Sequence, residues 1–81
     1  MSDLDLKIRD IIEKSGSLQI SIDKISSDDV LKDFGFNSIR YMSIIIDIEN
    51  EFDIKFNIED ITTDNFKTIN KISETIKKYI A

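Results

Sequence analysis

The group in this sequence best placed to do chemistry is the hydroxyl of Ser38, because of the stretch around it from Asp33 to Asp53. Gly35 supplies a residue free to take the positive φ of a tight turn. Asn37 and Ser38 follow, both of them helix-capping types, since a short polar side chain can accept a hydrogen bond from an unpaired first-turn N–H. An apolar run from Ile39 then ends in Asp47, Glu49, Glu51 and Asp53. The pattern predicts a serine at the positive end of an amphipathic helix, near the surface. Two uses are open to it: a cap for its own helix, or a hydroxyl offered to another molecule.

The rest of the composition narrows the chemistry. The 81 residues contain no cysteine and no histidine, so thiolate nucleophiles, disulfides and the commonest general base and metal ligand are missing. Calcium binding by Asp47, Glu49, Glu51 and Asp53 is a poor reading, because these alternate residues do not converge on a helix and no Asp-x-Asp-x-x-Gly loop is present. No metal site is expected. The net charge is −5, and it is unevenly spread. From Asp28 to Asp60 nine acids face three bases, a net −6, while the remainder carries +1. Acidity around the serine disfavours nucleic acid and favours basic protein surfaces. Asp3 and Asp5 stand where a signal peptide would carry basic residues. The apolar patch from Ile39 to Ile48, broken by Arg40, Ser43 and Asp47, is too short to span a bilayer. The expectation is a cytoplasmic protein with no membrane partner.

Three blocks in this order resemble one family. Phe34-Gly35-Phe36-Asn37-Ser38-Ile39, the helix after it closing in Ile48-Glu49-Asn50-Glu51-Phe52-Asp53-Ile54-Lys55-Phe56, and Asn65-Phe66-Lys67-Thr68-Ile69 together resemble the acyl and peptidyl carrier proteins over nearly the whole chain. The resemblance implies that Ser38 carries 4'-phosphopantetheine, whose terminal thiol holds an acyl or aminoacyl cargo as a thioester. It implies a carrier and not an enzyme. The partners would be a phosphopantetheinyl transferase, an adenylating or other acyl-loading enzyme, and downstream processing enzymes. It also assigns their docking to Ile39, Met42 and Ile46, flanked by Asn37 and Glu49. Asn37 stands where fatty-acid carriers usually have aspartate, and Arg40 and Ser43 stand where acids are frequent. The pattern is more similar to free-standing peptidyl carriers of specialised biosynthesis than to carriers of fatty-acid or polyketide synthesis. The rival outside the family is a small helical interaction module in which Ser38 is only a cap.

These residues need a frame. Leu4, Ile8, Ile11 and Ile12 keep one face of a 3.6-residue period and predict a helix over 3–14, stopped at Ser15-Gly16, with Lys7, Arg9, Asp10, Glu13 and Lys14 mostly off the packed face. Leu18, Ile20 and Ile22 alternate like a strand, but a lone strand cannot satisfy its own backbone. Ser17 to Phe36 therefore reads as a long loop, with a helical turn capped near Ser26–Asp29. Ile25, Val30, Leu31, Phe34 and Phe36 would fold it across the core. On the central helix, Tyr41, Ile44, Ile45, Ile48 and Phe52 form the core stripe, and Ile39, Met42 and Ile46 a second one. Asn57 is expected to cap a short turn over 58–61, Phe66 to anchor the next connector, and Thr68 to cap a last helix over 69–79. The fold class is all-α: a carrier-protein-like four-helix bundle of three main helices and a short one, in a single domain over 1–81, expected as a monomer.

Overall fold

A computed structural model of the chain describes residues 3–14 and 21–80. The first helix, α1, runs Asp3–Lys14, the second, α2, Ser38–Phe52, and the third, α3, Ile69–Ile80. Each buries the isoleucine stripe its period predicts: Ile8, Ile11 and Ile12 on α1, Ile44, Ile45 and Ile48 on α2, and Ile69, Ile72 and Ile76 on α3. α1 packs on both other helices. Ile22, Ile25, Leu31, Phe36, Phe56 and Phe66 close the core from the connections. Removal of these side chains from water is the main stabilising term. Among the described residues there is no strand, so the architecture is all-α.

The fourth helix is shorter than expected. Between α2 and α3 lie two 3-10 turns, Ile58–Asp60 and Asp64–Phe66. Asn57 does not cap the first with its side chain. Its N–H donates instead to the Tyr79 hydroxyl at 2.9 Å, which in turn donates to Asp60. The bond to Asp60 holds the Tyr79 phenol above its ordinary pKa. The Tyr79 ring also meets Phe56 edge-on at 5.1 Å, so one α3 side chain holds the segment 56–60 by both its ring and its hydroxyl. Thr68 caps α3 as expected, accepting from the Lys71 N–H at 3.0 Å, and Phe66 is a buried anchor.

The long connection is held by a charge that the helical period places on the surface. Arg9 and Asp5 are buried on α1, which corrects the expectation that Arg9 lies off the packed face. The Arg9 guanidinium pairs with Asp5 at 2.6 Å and donates to the carbonyls of Ile22 at 3.0 Å and Ile25 at 2.6 Å. It also donates to the Ser27 hydroxyl at 3.0 Å, which donates onward to Asp5 at 2.6 Å. The Ile22 carbonyl also closes a 3-10 turn over Ile22–Lys24 by accepting from the Ile25 N–H at 3.2 Å, and the fork geometry of one arginine serves both carbonyls at once. From the other side, the Asn70 N–H donates to the Ser27 carbonyl and the Leu31 N–H to the Lys67 carbonyl, each at 3.0 Å. The loop thus reaches α2 through a turn at 26–29 and a 3-10 turn at Leu31–Phe34. The expected stop at Ser15-Gly16 and the readings of Leu18 and Ile20 lie outside the described residues.

Candidate functional site

Gly35 ends the Leu31–Phe34 turn in the left-handed region, φ 97° and ψ 8°, the conformation for which glycine pays no steric penalty. The chain then extends through Phe36 and Asn37 and enters α2. Asn37 is the cap: its backbone is extended, φ −124° and ψ −179°, and its Oδ1 accepts from the Arg40 N–H at 3.0 Å. Ser38 is therefore the first residue of the helix and not its cap, which removes the premise of the rival reading. Among the described residues the Ser38 hydroxyl makes no hydrogen bond, and the residue is exposed. An unengaged hydroxyl on the first turn, with helix N–H groups and the positive dipole end beside it, suits a phosphate ester.

Ser38 stands between two open concavities. One, of about 180 Å³, is lined by Ser38, Tyr41, Met42, Ile61, Thr62, Thr63 and Phe66. The other, of about 330 Å³, is lined by Lys32, Phe36, Asn37, Ser38, Tyr41 and Thr63. Tyr41, expected in the core stripe, is half-buried and forms a wall of both. Burial and the nearby Asp33 hold its phenol above its ordinary pKa, although the Lys32 backbone partly offsets them. Its ring packs on Phe36 at 5.5 Å.

Along α2 the second apolar stripe is open to solvent: Ile39 is 78% exposed, Met42 48% and Ile46 51%. Asn37 lies at the head of this stripe with its side chain engaged in capping. Glu49 does not stand free beside it. It is half-buried and its carboxylate accepts from the Phe56 N–H at 2.9 Å, tying down the chain just after α2. Its carbonyl meanwhile accepts from Asp53, the left-handed residue that ends the helix. Ile58, on the turn facing away from the core, is 89% exposed. The sequence reading gave it no role, because a single isoleucine in a three-residue turn carries no periodicity to show which way it faces. Lys32 and Thr63 also escaped notice. Six and twenty-five residues from Ser38 in sequence, they share a cavity with it only in the fold.

A family described as phosphopantetheine attachment site matches residues 7–76. The chain is 30% identical over 74 residues to an aminoacyl carrier protein of Agrobacterium fabrum, covering 91% of this chain and 89% of that one. It also superposes on a carrier protein of Agrobacterium tumefaciens, solved in complex with an engineered glycine:[carrier protein] ligase of Bradyrhizobium japonicum and ATP. That match has a TM-score of 0.87 and 29% identity, over 93% of this chain and 97% of that one. A glycylated carrier protein bound to the Bradyrhizobium ligase gives a TM-score of 0.80 at 18% identity, over 91% and 99%, a likeness of fold alone.

Proposed function

The chain belongs to the phosphopantetheine-attachment family, and from that premise we propose that Ser38 is the residue to which its arm is joined. Members are carriers acted on by other enzymes, and the group they hold is a covalent 4'-phosphopantetheine. This protein is accordingly a non-catalytic carrier of an acyl or aminoacyl thioester. The observation that carries the assignment to Ser38 is its freedom: Asn37 does the capping, so the Ser38 hydroxyl is exposed at the mouth of α2. The arm supplies the thiol that a chain without cysteine cannot. The protein's own residues present the attachment point and provide no base to activate it, so a phosphopantetheinyl transferase must bring the catalysis.

The cargo we propose is an amino acid, loaded by an adenylating ligase and passed to downstream enzymes of nonribosomal-peptide or related specialised assembly, in the cytoplasm. The aminoacyl and glycine-handling relatives support an amino acid. Residues 1–81 act as one carrier domain, with docking of those enzymes on Ile39, Met42 and Ile46. Among the described residues no helix is long and apolar enough to cross a membrane.

Intact mass after incubation with coenzyme A and a broad-specificity transferase tests the assignment. One phosphopantetheinyl group is added to the wild type and none to Ser38→Ala, whose far-UV circular dichroism is unchanged. Equal addition to both proteins moves the attachment elsewhere, and no addition to either removes the reading. Loading of the modified protein with a panel of amino acids, glycine among them, then identifies the cargo.

A further inference from the structure

The concavity on the loop side of Ser38 contains one cation. Lys32 lines it together with Phe36, Asn37, Tyr41 and Thr63. Its side chain is exposed and takes part in none of the ion pairs among the described residues, which join Arg9 to Asp5, Lys14 to Asp10 and Lys71 to Glu74. Its backbone, by contrast, is fixed. The Lys32 carbonyl accepts from the Gly35 N–H at 3.3 Å, and the Tyr41 hydroxyl lies against the Lys32 main chain. A flexible ammonium therefore leaves from a fixed point on the rim of the cavity that Ser38 enters. Asp33, its neighbour in sequence, acts on Tyr41 and forms no ion pair with Lys32. Arg40, on the first turn of α2, already has an interaction of its own.

We propose that Lys32 is a positioning residue for the arm: its ammonium pairs with the phosphodiester on Ser38 and draws the start of the arm over the Phe36–Tyr41 side of the helix mouth. The inference rests on the assignment of the arm to Ser38. Attachment adds a negative charge where nine acids already outnumber three bases over residues 28–60. Lys32 offers the charge-assisted partner that this added charge otherwise lacks within the cavity. An exposed pair contributes little to stability, so its effect falls on where the arm points and not on folding.

Nuclear magnetic resonance of the labelled chain, before and after transferase treatment with coenzyme A, provides the test, with intact mass confirming conversion. Conversion is expected to move the Lys32 side-chain CεH₂ signal and the amides of Phe36, Tyr41 and Thr63. The Lys32 response should shrink by about half or more between low salt and 0.5 M salt as screening rises. In Lys32→Gln the amide responses and the salt dependence of the phosphorus shift are lost, although conversion still goes to completion. In Arg40→Gln they persist. A converted protein whose Lys32 signal does not move, or whose phosphorus shift is the same in Lys32→Gln as in wild type, overturns the role of Lys32 and leaves Ser38 as the attachment point. So does loss of the response in Arg40→Gln alone. Failure to convert overturns the Ser38 assignment and this inference with it.

Discussion

Asn37 and Ser38 divide two tasks that either residue type could perform. Because the Asn37 side chain satisfies the Arg40 N–H, the serine next to it keeps its hydroxyl for solvent. Asn37→Ala should therefore cost about 1 kcal/mol in urea unfolding, and Asn37→Asp should cost little, since aspartate caps equally well. The adjacent residues are interchangeable as caps by type, which is why the sequence alone could not say which one did the capping. Asp5 was hidden for a different reason: its partner Ser27 lies 22 residues away and meets it only in the fold. Burial raises its pKa, but hydrogen bonds from Ser27 and Arg9, and the Arg9 charge, outweigh burial and hold the carboxyl below its ordinary 3.8. A depressed folded-state pKa means that Asp5 contributes its stability above the unfolded value and loses it as pH falls through the folded one. Wild-type urea midpoints should hold steady from pH 7 to about pH 5 and drop below about pH 4. Asp5→Asn, less stable at pH 7, should show a smaller drop over that lower range. An equal drop in both proteins would assign the acid sensitivity to other carboxylates.

At the scale of elements, a 3.6-residue period located α1, α2 and α3 almost to the residue, since each is a stripe of isoleucines that only one side of a helix can bury. Gly35, Phe66 and Thr68 were legible for similarly local reasons: a turn residue, a lone aromatic in a polar connector, and a hydroxyl before an apolar run. Arg9 was not, because its partners are the Ile22 and Ile25 carbonyls and Ser27, thirteen to eighteen residues away. Periodicity sends a charged residue at the edge of a stripe outward. Only the need of a folded loop for donors brings it in. Arg9→Met should be strongly destabilising, by about 3–5 kcal/mol, because it leaves Asp5 buried without its cation. A double variant, Arg9→Met with Asp5→Leu, should recover part of that loss in the same unfolding assay. The exposed stripe on α2 predicts the opposite behaviour. With Met42 48% exposed, Met42→Glu should shift the thermal midpoint by no more than a few degrees while raising the KM for aminoacyl loading. Collapse of the circular dichroism signal in Met42→Glu would place that stripe inside the fold instead.

For the whole molecule, the decisive property is how charge and apolar surface are distributed around the proposed attachment point. The net −5 is concentrated between Asp28 and Asp60, the span that contains Ser38, the exposed stripe of α2 and Ile58. The last turn of α3 carries Lys77 and Lys78, where cations also complement the helix dipole. A carrier must meet several enzymes in turn and release each, which favours steering by charge over a large sticky interface. Acids at a rim raise the rate of encounter with a basic surface, and that advantage fades once the Debye length falls from about 10 Å at 0.1 M salt to about 3 Å at 1 M. The loading reaction should therefore lose kcat/KM as salt rises from 0.05 to 0.5 M. The loss should lie in KM, with kcat nearly constant, because chemistry within the bound complex does not depend on steering. Charge reversal at exposed Asp47, by Asp47→Lys, should lower kcat/KM at low salt and flatten its salt dependence. Ile46→Ala should lower kcat/KM by a similar factor at every salt concentration, since apolar contacts are not screened. A wild-type kcat/KM that is flat across the salt range would mean that the apolar stripe alone recruits the enzyme and that the acidity of this half serves only solubility.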